Sequence, residues 1–267
     1  MNNEKFLEGK VALITGSGSG FGRKMALSFA EKGADLVLND VNLEGIKETK
    51  NLVLKDNEVE ILLAKADVSK LAEVEEMADK VFEVFDNVFL IVNNAGIDGG
   101  LSTSLKAKEE MYDKVMGVNV KGPWNITKTF FRKMKRQKQF KPVRGKIINI
   151  ASTAGTSSGH NPMLGVYSIS KAAVIAQTRV WALELGSSDI TVNSIAPGVF
   201  LTPIYNSDPK LIRQFLDSRN VKIPIDKIGE AQWVADLAVF LASSTADYIT
   251  GQNIVIDGGM TLSINKL

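Results

Sequence analysis

The sequence predicts an α/β fold: a single domain on one doubly wound, parallel, seven-stranded sheet with helices on both faces. Three observations carry that expectation. Short apolar runs recur seven times along the 267 residues. Segments of helical period separate them, the alternation that a parallel sheet with right-handed crossovers requires. The apolar runs are also nearly continuous rather than alternating, as strands buried on both faces should be.

In chain order, "KVALIT" (10–15) is the first strand, and a glycine-rich turn leads from it into an amphipathic segment at 21–32. "ADLVLND" (34–40) precedes a helical segment at 43–56, and "EVEILLAKAD" (58–67) precedes one at 70–86. "VFLIVNNAG" (88–96) is followed by a long helix at 105–136, and "GKIINIAS" (145–152) by a helix at 164–186. "DITVNSIAPG" (189–198) leads into a weakly patterned stretch, 199–228, and then a helix at 230–242. "GQNIVIDGG" (251–259) is the last strand. A long insertion after a strand end, as at 199–228, is a candidate lid over a ligand. No internal repeat, low-complexity tract or linker interrupts the pattern.

Composition prunes the chemistry. The chain has no cysteine and one histidine, His160. That removes disulfides, thiolate nucleophiles and zinc sites built on sulfur or on several histidines, so no metal is expected. Acid–base chemistry must rest on carboxylates, tyrosine, lysine or His160. A formal net charge of +2 gives no global field that calls for nucleic acid or an anionic membrane. The N-terminal "MNNEKFLEGK" has no apolar core of signal-peptide length, and no later run approaches a membrane span. The expectation is a soluble, cytoplasmic protein.

The first strand ends in "TGSGSGFG" (15–22). Gly16, Gly20 and Gly22 stand where the strand turns into the first helix, so backbone N–H groups and the helix N-terminus can approach a phosphate. The spacing fits T-G-x-x-x-G-x-G rather than G-x-G-x-x-G or a Walker loop. Asp40 closes the second strand, eighteen residues past Gly22. A carboxylate there accepts both hydroxyls of an adenosine ribose and repels a 2′-phosphate. Ser17, Ser19, Asn39 and Val41 carry no charge, and Arg23 lies one turn into the helix. The cofactor expected is NAD, preferred over NADP.

"GTSSG" (155–159) matches the nucleophile-elbow pattern around Ser157. A hydrolase triad would need a histidine from a separate loop, and His160 is on the elbow itself.

Together these residues resemble the short-chain dehydrogenase/reductase family, in its single-domain branch with a Rossmann-type core. The resemblance runs from about Leu7 to Gly259. It rests on "TGSGSGFG", on "NNAG" (93–96), on Asn119 in "GVNVKG", on Ser152 in "NIASTAG", on "YSISK" (167–171) and on "APGVFLT" (196–202), all in family order. The resemblance implies that Tyr167 is the general acid/base, that Ser152 holds the substrate oxygen, and that Lys171 binds the nicotinamide ribose and tunes Tyr167. It implies that Asn119 anchors a water relaying protons to Lys171. The cofactor would meet Gly16, Ser19, Gly20, Phe21 and Gly22 at the glycine loop. Asp67 and Val68 would flank the adenine, Asn93, Ala95 and Gly96 would line the cofactor, and Ile195, Pro197, Val199 and Thr202 would border the nicotinamide. His160, if it acts, would touch substrate beside Ser152 and Tyr167. The chain departs from the family in a longer segment between Ser152 and Tyr167 and a longer "KRQKQFKPVRGK" before the fifth strand.

The function expected is hydride transfer between NAD and a secondary alcohol or ketone of moderate size. Two alternatives stand beside it: a 3-ketoacyl-carrier-protein reductase, and a non-enzymatic dinucleotide sensor, which would have no need of Ser152, Tyr167 and Lys171. The nine basic residues from Lys128 to Lys146 read as a solvated face at a helix end, where cations complement the macrodipole. Trp124, Trp181 and Trp233 are expected in core or subunit packing. The resemblance also implies a homo-oligomer, most simply a tetramer, with Ile126, Phe130, Val174 and Trp181 between subunits. Tyr167 and Lys171 share a helical face at i, i+4. Bringing a tyrosine from a pKa near 10 to about 7 takes roughly 4 kcal/mol, about what an ammonium some 4 Å away supplies at an effective dielectric near 20.

Overall fold

The computed structural model describes residues 5–157, 162–201, 208–218 and 221–263. His160 and Thr202, with Asn161 and Tyr205, lie outside the described residues. The seven strands are β1 (Val11–Thr15), β2 (Asp35–Asp40), β3 (Ile61–Lys65), β4 (Leu90–Asn93), β5 (Gly145–Ile150), β6 (Ile190–Pro197) and β7 (Asn253–Ile256). All pair in parallel, in the order β3-β2-β1-β4-β5-β6-β7. The order reverses between β1 and β4, and the crevice beyond their carboxyl ends is where such sheets bind ligands.

Successive strand residues point to opposite faces. Ala12, Ile14, Leu36, Leu38, Leu90 and Val92 join one buried cluster, together with Met25 and Phe29 of α1 (Gly20–Glu31) and Ile46 of α2 (Leu43–Val53). Leu13, Val37, Ile91 and Ile147 join the other, with Val74 and Val81 of α3 (Leu71–Val84). This double burial is why the strands read as unbroken apolar runs.

The long helix expected at 105–136 is not continuous α-helix. A 3₁₀ turn, Ser104–Lys106, precedes α4 (Glu109–Met116), a π-helical turn (Gly117–Lys121) follows, and α5 (Gly122–Met134) completes it. Pro123 lacks an N–H and would clash with an α-helical carbonyl one turn back. A π turn takes up that misfit, and such turns often mark functional positions; this one carries Asn119. α6 (Gly165–Gly186) carries "YSISK", and α8 (Ala231–Ala242) packs against α1. The weakly patterned stretch contains one more helix than the sequence reading allowed, α7 (Pro209–Ser218). Its Ile212 and Leu216, one turn apart, are buried with Ile223 and against Val199, Val221 and Met260.

Three expectations are corrected. Ile126, Phe130, Val174 and Trp181 are buried within the chain itself, so they are core residues and not an intersubunit surface. Of the tryptophans expected in core or subunit packing, Trp124 and Trp233 are about two-fifths exposed on the single chain, which removes the core half of that expectation for these two. Lys146, at the end of the basic run, is not solvated: it is buried and pairs with Asp247 at 2.6 Å. Arg144 is half-buried and donates to the Gln137 carbonyl (2.7 Å), and the other seven basic residues of the run are exposed, with Lys128 lying 4.5 Å over the Trp124 ring and Lys133 5.1 Å over Phe82.

Candidate active site

A cavity of about 1230 Å³ opens at the carboxyl ends of the strands. That is above the range typical of a single small ligand, so a dinucleotide and a substrate fit together. Its floor begins at the glycine loop. Gly16 and Gly20 hold positive φ (63° and 53°), a region that side chains other than glycine rarely adopt. A Cβ on Gly22 would sit 2.2 Å from the Gly16 carbonyl oxygen, so the third glycine serves strand–helix packing rather than the cavity. Ser19 caps α1 with extended backbone and no side-chain cap bond, which leaves the first-turn N–H groups to an anion. Phe21 packs edge-on against Phe200 at 5.4 Å and joins the loop to the chain beyond β6.

Asp40 lines the cavity at the end of β2. Its Oδ2 accepts from the Gly18 N–H (3.0 Å) and its Oδ1 from the Asn42 N–H (2.9 Å). Each oxygen keeps a lone pair, enough to take two ribose hydroxyls. Asp67 and Val68 also line the cavity, and Asp67 is held in place by accepting from the Ser69 N–H (2.9 Å) and hydroxyl (2.7 Å).

At the end of β4 the two asparagines part company. Asn93 is buried and donates to Asn149 Oδ1 at 2.8 Å, inside the fold and off the cavity. Its neighbour Asn94 lines the cavity and donates to the carbonyls of Thr15 (2.8 Å) and Gly16 (3.0 Å). Thr15 Oγ1 in turn accepts from the N–H groups of Asn94 and Ala95, both at 3.0 Å. Asn94 therefore braces the glycine loop from β4. The doubled "NN" was its only sequence signal, and strand alternation picks the second asparagine once β4 is known to end at Asn93.

The groups that the family resemblance singles out come from three elements. Ser152, just past β5, accepts from the Ala154 N–H (3.1 Å), which leaves its own hydrogen to donate to a substrate oxygen. Tyr167 and Lys171, on α6, line the same cavity. Lys171 Nζ lies 5.6 Å from the centre of the Tyr167 ring and donates to the Ile150 carbonyl at 2.8 Å. Burial pushes the Lys171 ammonium down to about 8. Asn119 does not line the cavity; its side chain accepts from the Ile97 N–H (2.9 Å) and donates to the Ile97 carbonyl (2.8 Å) and to Ser170 Oγ (2.9 Å). Ser170 Oγ donates to the Tyr167 carbonyl (2.7 Å), so one network ties the π turn, the β4 loop and the turn of α6 that carries the tyrosine.

Ala95, Gly96, Pro197 and Val199 line the cavity, whereas Ile195 is buried inside β6. The elbow glycine Gly155 has a packing duty: a Cβ there would sit 2.4 Å from the Lys171 backbone. Ser157 is exposed and off the cavity.

These features define a dinucleotide-dependent oxidoreductase site. A family model described as enoyl-(acyl carrier protein) reductase matches residues 16–261. The 3-oxoacyl-[acyl-carrier-protein] reductase FabG of Thermotoga maritima is 37% identical over 261 residues, covering 96% of this chain and 99% of the relative. The (2S)-[(R)-hydroxy(phenyl)methyl]succinyl-CoA dehydrogenase subunit BbsD of Thauera aromatica is 37% identical over 259 residues, covering 96% and 98%. Levodione reductase superposes with a TM-score of 0.88 at 33% identity, covering 96% of this chain and 99% of the other. The 3-ketoacyl-(acyl-carrier-protein) reductase from Brucella melitensis, solved with NADH, gives 0.83 at 33% identity, with the same coverage. The chain belongs to the short-chain dehydrogenase/reductase family, and it is a nicotinamide-dinucleotide oxidoreductase of alcohol and keto groups. Among the described residues no helix is long and apolar enough to cross a membrane.

Proposed function

We propose that the protein is an NAD-preferring oxidoreductase of a secondary alcohol or ketone, with Tyr167 as its general acid/base. One observation carries the reading: Lys171, buried and with no carboxylate partner among the described residues, lies 5.6 Å from the centre of the Tyr167 ring in the cavity that Ser152 also lines. At that distance an ammonium favours an anion by about 3 kcal/mol at an effective dielectric near 20. An exposed i, i+4 pair would contribute only tenths of a kcal/mol. A dinucleotide held along the glycine loop and Asp40 would supply or accept the hydride at the substrate carbon. Tyr167 Oη takes the hydroxyl proton of an alcohol, or returns one to a carbonyl oxygen. The Ser152 hydrogen holds that same oxygen in place.

Asp40 supports NAD as the preferred cofactor, since a carboxylate beside a 2′-phosphate is a like-charge contact. Leu216, Val221 and Lys222 reach the cavity from the 199–228 segment, which supports that segment as a lid over an apolar substrate. A ketoacyl thioester, as on a carrier protein, is the second reading. It is favoured by the ketoacyl-reductase relatives and by a cavity wall that includes Leu101, Leu164 and Met260. Ile169, Val180 and Leu183 on α6 are exposed and support assembly into a homo-oligomer, a tetramer in this reading, in the cytoplasm. A single mass near 29 kDa by light scattering at micromolar concentration would exclude that assembly.

The test is turnover of secondary alcohols with NAD, followed as NADH absorbance from pH 6 to 10, in wild type and Tyr167→Phe. The variant should keep its fold and NADH affinity and lose turnover by at least about a hundredfold. Retention of more than a few per cent of the wild-type rate removes Tyr167 from the role.

A further inference from the structure

Behind the Gly18 backbone at the Asp40 end of the cavity lies a charge pair that the proposed chemistry does not use. Arg23, in the second turn of α1, donates from Nη2 to Glu48 Oε2 (2.7 Å) and to the Gly18 carbonyl, and from Nε to Thr49 Oγ1 (3.1 Å). Gly18 is also the residue whose N–H donates to Asp40 Oδ2 at 3.0 Å. One residue of backbone therefore separates the guanidinium from the carboxylate at the ribose position. α2 supplies both Glu48 and Thr49, and Thr49 Oγ1 also donates to the Ser17 carbonyl at 2.8 Å. The Glu48 carboxyl lies below its ordinary range because it accepts a hydrogen bond from Arg23 and faces its charge.

We infer that Glu48 is a positioning residue for cofactor choice: it neutralises Arg23 and holds it against the Gly18 carbonyl, so that the Asp40 charge is not offset by the guanidinium at the adenosine 2′-position. The inference rests on the NAD preference proposed above. Arginine is the side chain best suited to a phosphate, through its planar fork of donors. Here that fork is turned toward α2 and occupied, and Arg23 does not line the cavity. Neutral Gln in place of Glu48 would leave a guanidinium free of its partner beside the 2′-position. Exposed pairs are weak, so the consequence is a modest multiple, clearest once the Asp40 charge is gone.

The experiment is fluorescence titration of NADH and NADPH against wild type, Asp40→Ala, Glu48→Gln, Asp40→Ala/Glu48→Gln, and the last combined with Arg23→Gln. In the Asp40→Ala background, Glu48→Gln should tighten NADPH by about fivefold and leave NADH within about twofold. Adding Arg23→Gln should erase that gain, because the two effects run through one side chain. A wild type that binds NADPH more tightly than NADH overturns the preference and the inference together. A wild type that prefers NADH, but whose ratio Glu48→Gln does not move in either background, overturns the inference alone. Equal loss of both cofactors would make Glu48 a packing residue, and a gain that survives Arg23→Gln would make it a net-charge effect; either result also overturns the inference.

Discussion

Lys146 and Lys171 are the two buried lysines among the described residues, and they stand at opposite ends of the same strand. Lys146 is the second residue of β5, and Lys171 donates to Ile150, the last. Lys146 donates to the Ser243 carbonyl (2.9 Å) and pairs with Asp247 (2.6 Å). Burial lowers its pKa, and Asp247 opposes that shift. Among the described residues Lys171 has no carboxylate partner, and burial lowers it to about 8. The lesson concerns partners rather than burial. A buried lysine matched by a carboxylate is a structural cross-link, whereas one without it sits near its titration point and can serve chemistry.

The sharpest way to break the comparison is to exchange the two consequences. Lys171→Met should reduce turnover by about a thousandfold, within the range of lost acid–base catalysis, while the protein stays folded. Rates and circular dichroism on the same preparation check it; near-wild-type turnover would make the two lysines equivalent. Lys146→Met should do the reverse. It strands the Asp247 carboxylate, which is only 12% exposed, and should cost about 3 kcal/mol of stability. Urea unfolding reads that loss, and the folded fraction should keep wild-type turnover.

The pH dependence of stability sharpens the comparison further. The Lys171 pKa in the folded state is near 8, below its ordinary 10.5. Between those values the unfolded chain binds the proton and the folded chain does not, so stability rises with pH across this window. Below pH 8 the penalty is fully present, at about 3 kcal/mol. Lys171→Met should therefore be more stable than wild type at pH 7, with the difference closing by pH 10.5. A wild-type advantage at pH 7 in chemical denaturation would contradict that sign. The smallest effect belongs to an exposed lysine: Lys133→Ala, which removes the cation over Phe82, should change stability by no more than about 1 kcal/mol and leave turnover unchanged.

Much of this was legible in the chain. Seven near-continuous apolar runs specified a parallel sheet because burial on both faces leaves no polar alternation. The glycine loop, Asp40 and "YSISK" were readable because their chemistry depends on local spacing. α7 was missed although Leu211, Ile212, Phe215 and Leu216 recur at helical spacing, because the run is only ten residues long and the burial of Ile212 and Leu216 is completed by Ile223 and Met260, distant in sequence from one another. The break in the long helix was foreshadowed by Pro123, yet a proline alone does not distinguish a kink from a π turn.

Local sequence by itself determined the strands, the order of the motifs and the i, i+4 placement of Tyr167 and Lys171, since each depends on backbone period and residue type over a few positions. The tertiary structure decided what no local pattern contains. It turned Asn94 rather than Asn93 to the cavity, through the point at which β4 ends. It put Ile126, Phe130, Val174 and Trp181 inside one chain instead of between chains, through the packing of α5 and α6 on the sheet. And it gave Asp247 to Lys146 while leaving Lys171 a carbonyl, a distinction carried by a contact across 101 residues of sequence that follows only from where the sheet and α8 bring the chain.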